Sequence, residues 1–465
     1  MEESPSKTGD GAAVDSLHRA TEFRPFSITP PHMRAFHLAW LSLFSCFFST
    51  FAVPPLLPAI RRDLRLSDAD VGAAGVASFA GSILSRLAMG PACDLFGPRA
   101  ASAAVSLATA PAVLSLAFVS SPAAFVAARF LIGLSLANFV ACQFWMTSMF
   151  ASNVVGVANG VAAGWANVGS GLTQLLMPLV YSALAARLPS STAWRAAFTV
   201  PAIFQAGTAI MVLAFGQDHP SGKYQRIRKH DPSVNPLATV LLGGLRNYRG
   251  WILGLTYAFC FGVELTMDNI IAEYFYERFG VDMEAAGAIA ASFGLANVVS
   301  RPMGGVASDA MGRRFGMRGR LWSLWPVMTM AGVLCFGLGR VNTLWGSITV
   351  MCCFSFFVQA ASGLTFGVVP FVSTRYLGVI SGMTGSGGTI GAVFTQYLLF
   401  SGTNNMSTQS GISIMGLMMI ICALPITLIY FPNSGGMLCG PSTQIQSYDE
   451  PNHLDEYQNL LPSTT

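Results

Sequence analysis

Long apolar runs separated by short polar stretches dominate this chain, and their lengths set the first expectation. A helix needs about 20 apolar residues to cross about 30 Å of hydrocarbon, and runs of that size recur from residue 36 onward. No sustained alternation of period two competes with them, so the pattern predicts helices throughout. Twelve are expected, over 36–60, 72–92, 101–119, 123–148, 154–184, 195–216, 250–277, 285–308, 321–340, 343–372, 376–401 and 411–431. Gln217 to Arg249 breaks the rhythm with basic residues and Pro220, Pro232 and Pro236, and reads as a linker between two six-helix halves, 36–216 and 250–431. Residues 1–35 form a polar N-terminal tail. Residues 432–465 contain Asp449, Glu450, Asp455 and Glu456 but no Lys or Arg, and read as a disordered, solvated tail.

Composition agrees: 52% of residues are hydrophobic and 10% charged, against about 25% charged in soluble domains. The fold class is all-α transmembrane. With both termini in the cytoplasm, most of the 26 Lys and Arg fall on the inner side, including Lys223, Arg226, Arg228, Lys229, Arg313, Arg314 and Arg375, as the positive-inside rule requires. The net charge of +4 therefore reflects topology, and gives no nucleic-acid signature. Nine cysteines show no CxxC spacing, so neither a disulfide framework nor a metal site is expected. The first helix is too long for a signal sequence and is read as retained.

The chain is an internal duplication. Arg86 is followed by Gly90, Asp94, Gly97 and Arg99, and Arg301 at the same spacings by Gly305, Asp309, Gly312 and Arg314. At about 1.5 Å per residue, each arginine lies about 12 Å from the polar end of its helix, near mid-membrane. A guanidinium there costs about 2.5 to 17 kcal/mol unless it faces a cavity or a partner, and its natural partner is an anion. A second duplication runs from Gly156 to Gly169 and from Gly378 to Gly391. Such glycine density destabilises a helix unless close packing repays it. Plain helix packing and the lining of a central site both remain open for these segments.

The repeated GxxxDxxGxR resembles the signature loop of the major facilitator superfamily. Arg86 and Arg301, with AAGWANVGSG (162–171) and SGMTGSGGTIGAVF (381–394), resemble the nitrate signatures of the nitrate/nitrite porter family. FFSTFAVPPLLPAIR and FGVELTMDNIIAEYFYERF resemble that family's plant high-affinity branch. The resemblance implies a twelve-helix major facilitator fold of two pseudo-symmetric halves, with nitrate held on the pseudo-two-fold axis by Arg86 and Arg301. It further implies Asn167 as a hydrogen-bond donor, Tyr257 and Phe261 as anion contacts, and Phe144 and Phe47 as weaker aromatic matches. Gly164, Gly169, Gly385, Gly387 and Gly391 are the signature glycines. Asp94, Arg99, Asp309 and Arg314 are expected to gate the cytoplasmic end by pairing across the halves. A small single-span accessory protein and residence in the plasma membrane are also implied.

Nitrate is planar and singly charged, so a guanidinium fork can meet one of its edges with two parallel hydrogen bonds, which lysine cannot do. Moving an anion into an inside-negative cell costs about 2.3 kcal/mol per 100 mV, so uphill uptake needs co-transported cations, and protons are the expected ones. Glu264, in the apolar run after Tyr257 and Phe261, is the expected proton carrier, with a structural ion pair to Arg301 as the other reading. Arg129 is read as structural, and Asn405 heads a glycosylation sequon. Proton-coupled nitrate uptake is the first reading; a nitrate/nitrite exchanger and a nitrate sensor are the alternatives. No enzyme motif and no cofactor site is legible.

Overall fold

The computed structural model describes residues 6–7, 13–222, 237–281, 283–373, 376–400 and 406–440, with backbone alone at 6, 7, 68, 237–240, 272, 273, 283 and 284. The N-terminal half contains α1 (His32–Thr50), α2 (Asp68–Phe96), α3 (Pro98–Ser115), α4 (Pro122–Gly133), α5 (Asn138–Met149), α6 (Val155–Ala185) and α7 (Thr199–Phe215). The C-terminal half contains α8 (Tyr248–Ala258), α9 (Phe261–Phe279), α10 (Met283–Leu295), α11 (Asn297–Leu338), α12 (Leu344–Val368), α13 (Leu377–Phe400) and α14 (Thr408–Ala423). Eleven helical segments among the described residues are long and apolar enough to cross a membrane, and one, Ala285–Leu338, is long enough for two crossings. Leu84, Leu179, Ile203 and Trp251 point outward, fully in keeping with a lipid-facing surface.

Local chemistry explains where helices start and break. Ser67 and Asp70 form a capping box at the head of α2, the side chain of each meeting the backbone of the other. The predicted helix 250–277 is two helices, interrupted at Phe259 and Cys260. The loop expected at 309–320 is helical except at Gly316, where φ 63° and ψ −150° turn the chain. Only glycine enters that region cheaply. The predicted helix 123–148 likewise contains a tighter 3-10 turn at Leu134–Ala137.

Both tails are more ordered than their polarity suggests. The backbone of Ala20 pairs with Met149 and Ala151, and Asn153 Nδ2 donates to the Thr21 carbonyl at 2.9 Å, so residues 13–31 form a strap beneath α5. Tyr430–Phe431 pairs with Gly435–Gly436, and the Met437 carbonyl accepts from Arg318 Nε and Trp322 Nε1. The disordered tail expected from 432 is thus corrected as far as residue 440, because backbone pairing and Arg318 supply partners that composition does not reveal. Residues 223–236 of the linker, Arg375, Asn405 and residues 441–465 lie outside the described residues.

The two halves interlock through the duplicated segments. Helix α6 lies on α11, where a Cβ at Gly160 would stand 2.7 Å from the Arg301 carbonyl and one at Gly164 would stand 2.6 Å from that of Asn297. Helix α13 lies on α2 in the same manner, with Gly382 against the Arg86 carbonyl at 3.0 Å and Gly378 against the Gly90 carbonyl. Each glycine-rich helix therefore packs on the arginine-bearing helix of the other half. The close approach repays the conformational cost of the glycines.

Candidate functional site

Two arginines at mid-helix, brought in from opposite halves, form the centre of the molecule. Arg86 and Arg301 are 0% and 1% exposed, so the site is closed to solvent in this conformation. The ring of Phe261 is shared between them, 5.3 Å from the Arg86 guanidinium and 4.9 Å from that of Arg301. Phe139 lies 5.1 Å from Arg86 and stacks on Phe261. Tyr257 stacks on Phe261 at 5.0 Å and lies 5.8 Å from Phe139, so the three rings form a triangle, and Phe366 meets both Phe139 and Tyr257 edge-on at 5.1 Å. Tyr257 and Phe261 are four residues apart, a spacing that brings side chains together on one helix face.

The arginines differ in how they are satisfied. Arg86 donates Nε–H to the Leu136 carbonyl at 3.2 Å and Nη1–H to the Gly385 carbonyl at 2.6 Å. Its Nη2 is buried without a hydrogen-bond partner. Such an orphan donor costs about 1 to 3 kcal/mol, and charged groups cost more, so the position is built for an acceptor. Arg301 is engaged on every nitrogen: Nε donates to Asn297 Oδ1 at 2.9 Å, Nη1 to the Tyr257 hydroxyl at 3.4 Å, and Nη2 to Glu264 Oε2 at 2.6 Å. Asn297 Nδ2 in turn donates to Glu264 Oε1 at 2.7 Å. Glu264 is 1% exposed. Two guanidinium groups and one carboxylate leave one positive charge in excess.

Sequence reasoning placed Arg86, Arg301, Tyr257, Phe261 and Glu264 here, and the structure brings these five together. The other expected residues make different contacts. Asn167 is buried, but its amide donates to the Ala163 carbonyl of its own helix at 2.7 Å. Phe47 stacks on Phe51 and backs Gly169, and Phe144 is buried further along α5. Gly164 abuts α11, Gly385 supplies the carbonyl that holds Arg86, and Gly387 and Gly391 press on the backbone of α8 at Gly254 and Ala258. Arg129 donates to the Thr50 carbonyl at 2.7 Å, within its own half. Phe139, Phe366 and Asn297 escaped the sequence reading. Asn297 had a signal, one helical turn before Arg301, whereas one phenylalanine among 33 carries none.

At the motif end the carboxylates face helix N-termini. Asp309 accepts from the backbone amides of Gly156 at 3.1 Å and Val157 at 2.6 Å, at the start of α6. Asp94 occupies the equivalent place beside Gly378 at the start of α13, where a Cβ would stand 2.5 Å from its Oδ2. The guanidinium pairing differs from expectation. Arg99 pairs with Asp218 at 3.4 Å inside its own half, and Arg314 is exposed over Phe315. Arg320 pairs with Asp309 at 2.8 Å and reaches across to the Ser152 carbonyl at 3.0 Å, while Arg313 reaches Asn153 at 3.1 Å. The turn at Gly316 brings Arg320 back over Asp309, which a predicted loop did not specify.

The model of the Major Facilitator Superfamily matches residues 39–373. The chain is 61% identical over 96% of its length, and 93% of the relative's, to "High affinity nitrate transporter 2.7" of Arabidopsis thaliana. It is 57% identical over 92% of its length, and 83% of the relative's, to "High-affinity nitrate transporter 2.3" of Oryza sativa subsp. japonica. Among solved structures, the proton:xylose symporter XylE aligns with TM-score 0.65 at 14% identity, covering 84% of this chain and 94% of that one. At that identity the likeness concerns the fold.

Proposed function

Because the chain belongs to the major facilitator superfamily and, within it, to the high-affinity nitrate transporters, we propose that it takes up nitrate across the plasma membrane together with protons, by alternating access. The observation that carries the nitrate reading is the unpartnered Nη2 of Arg86 in a sealed aromatic chamber that holds one excess positive charge. A monovalent planar oxyanion satisfies that donor and that charge together. The Phe139 and Phe261 rings keep water out and so strengthen the attraction.

Glu264 supports the proton reading. While ionised it occupies Nη2 of Arg301, and only one guanidinium retains a free donor. A proton on the carboxyl weakens that ion pair and frees Arg301 to close on the anion from the second half. Proton and nitrate then favour each other's binding, as coupled transport requires. One proton per nitrate cancels the opposition of the membrane potential, about 2.3 kcal/mol per 100 mV, and a second lets the potential drive uptake and carry an inward current. The glycine-lined contacts of α6 with α11 and of α13 with α2 give both halves a surface on which to rock.

The test is Glu264→Gln, which keeps the shape and removes the titrating proton. Nitrate-evoked currents at pH 5.5 and 7.5, at matched surface expression, should lose their stimulation by acid while nitrate binding persists. An unchanged pH response assigns the proton to another group. Retained nitrate/nitrite exchange without current would instead favour an exchanger.

A further inference from the structure

We propose that Asn297 is the positioning residue that makes protonation of Glu264 and its grip on Arg301 mutually exclusive. The inference rests on the reading of Glu264 as the proton carrier. Arginine has donors only, so the Asn297 amide must turn Oδ1 toward Arg301 Nε, at 2.9 Å. Its Nδ2 then faces Glu264 Oε1, at 2.7 Å. The amide orientation is thus fixed by the chemistry of its neighbour.

The consequence falls on the carboxyl. Both oxygens hold a donor, but when a proton neutralises the carboxyl the charge-assisted contact at Oε2 loses far more than the neutral amide contact at Oε1, so the carbonyl stays on Asn297 and the proton is directed to Oε2. That oxygen is the one Arg301 Nη2 holds at 2.6 Å. A carboxyl protonated at Oε2 no longer offers Nη2 a charged acceptor, so proton binding undoes the ion pair. Without Asn297 the proton could settle on Oε1 and leave Arg301 paired. Asn297 also keeps its hold on Nε after Glu264 lets go, so the released guanidinium presents its Nη1 and Nη2 edge, the edge that meets two oxygens of a planar anion.

The surroundings leave this assignment to the triad. Arg301 from α11, Tyr257 from α8 and Asp268 from the next turn of α9 lie within electrostatic reach of Glu264, and Arg86 faces it across Tyr257. The described side chains of α10 and all of α12 and α13 include no charged residue. Asn297 is 1% exposed, and its carbonyl lies against Gly164 of the other half. Its position at the first turn of α11, just after the junction with α10, ties the triad to the helix that must move.

The experiment measures KM and maximal rate of nitrate uptake at pH 5.5 and 7.5 in wild type, Asn297→Ala and Glu264→Gln, at matched surface expression. Wild type should lower its KM on acidification by about fivefold or more, whereas Asn297→Ala should change by less than about twofold, with a smaller effect on maximal rate. Should Asn297→Ala fail to reach the membrane, Asn297→Ser serves in its place, since one short hydroxyl cannot bridge both partners. A wild-type pH response in the Asn297 variants, with the response lost in Glu264→Gln, overturns the role of Asn297 alone. A pH response retained in Glu264→Gln removes the carrier reading and this inference with it.

Discussion

At the residue scale, two arginines of the same type and depth are held in different states. Arg86 keeps one N–H donor free, and Arg301 has all of its nitrogens engaged. Lysine preserves either charge and loses the planar fork. Arg86→Lys and Arg301→Lys should therefore each reach the membrane and lose nitrate uptake by about tenfold or more, since a charge-assisted contact contributes about 1.5 to 3 kcal/mol. Labelled-nitrate uptake at matched surface expression checks this, and near-normal rates in either variant would remove that arginine from the site. The arginines were legible because a charge inside an apolar run is costly enough to need a reason. Tyr257 and Phe261 became legible through their motif, and Glu264 through its place in the apolar run that follows them. Phe139 and Phe366 did not, because an apolar ring that lines a site has the same sequence pattern as one that packs a core. Asn297 was within reach of helical spacing, and it was missed because a buried amide is ordinary until its partners are known.

At the scale of elements, the duplicated Asp of each half meets the first turn of the glycine helix in the other. A carboxylate at a helix N-terminus gains from the exposed amides and from the helix dipole, and Asp309 collects two such amides together with Arg320. Asp309→Asn keeps the shape and loses the charge, at about 1 to 2 kcal/mol. Turnover should slow about fivefold or more, while the equilibrium Kd for nitrate changes less; a loss of affinity at unchanged turnover would contradict a gating role. The same end holds the N-terminal strap, with His219 beside it. Burial, then Arg19, His18 and His32, push His219 down to about 4 from an ordinary 6.5. The unfolded chain thus takes up a proton that the folded protein refuses between those values, so stability falls as pH drops through 6.5 and the full loss is reached below about 4. Thermal unfolding of the purified protein at pH 7 and pH 5 should show a smaller acid loss in His219→Gln, and equal losses would exclude His219. Helix positions were readable from run length. The break at 259 and 260 was not, because apolar residues run on across it, and neither was the helix on each side of Gly316, because the charged run from Asp309 to Arg320 reads as a loop.

At the scale of the whole molecule, the halves touch through two repeated helix contacts, α6 on α11 and α13 on α2, to which Arg313 and Arg320 add one-sided contacts with the carbonyls of Asn153 and Ser152 at the motif end. The internal repeat in the sequence announced two equivalent halves, but not which surfaces they share. Those contacts involve small residues and end groups, so they can separate without exposing a large apolar core. Both arginines are sealed in this conformation, so nitrate must reach and leave them through rearrangement. If the halves part at the motif end in every cycle, tying them there must stop transport. Asn153→Cys and Arg313→Cys place thiols on the two sides of one such contact, and a short bifunctional thiol reagent with a cleavable bridge would join them. Each single variant should keep transporting after treatment, because a one-sided adduct ties nothing. The double variant should lose labelled-nitrate uptake in proportion to the fraction joined, by about tenfold at high yield, and recover it when the bridge is cleaved. Binding measured on the joined protein separates the two ways of losing uptake: nitrate reaching the site from the other end would still bind, whereas a collapsed site would not. Uptake that continues with the halves joined would mean that this end does not open, and that nitrate leaves by another path.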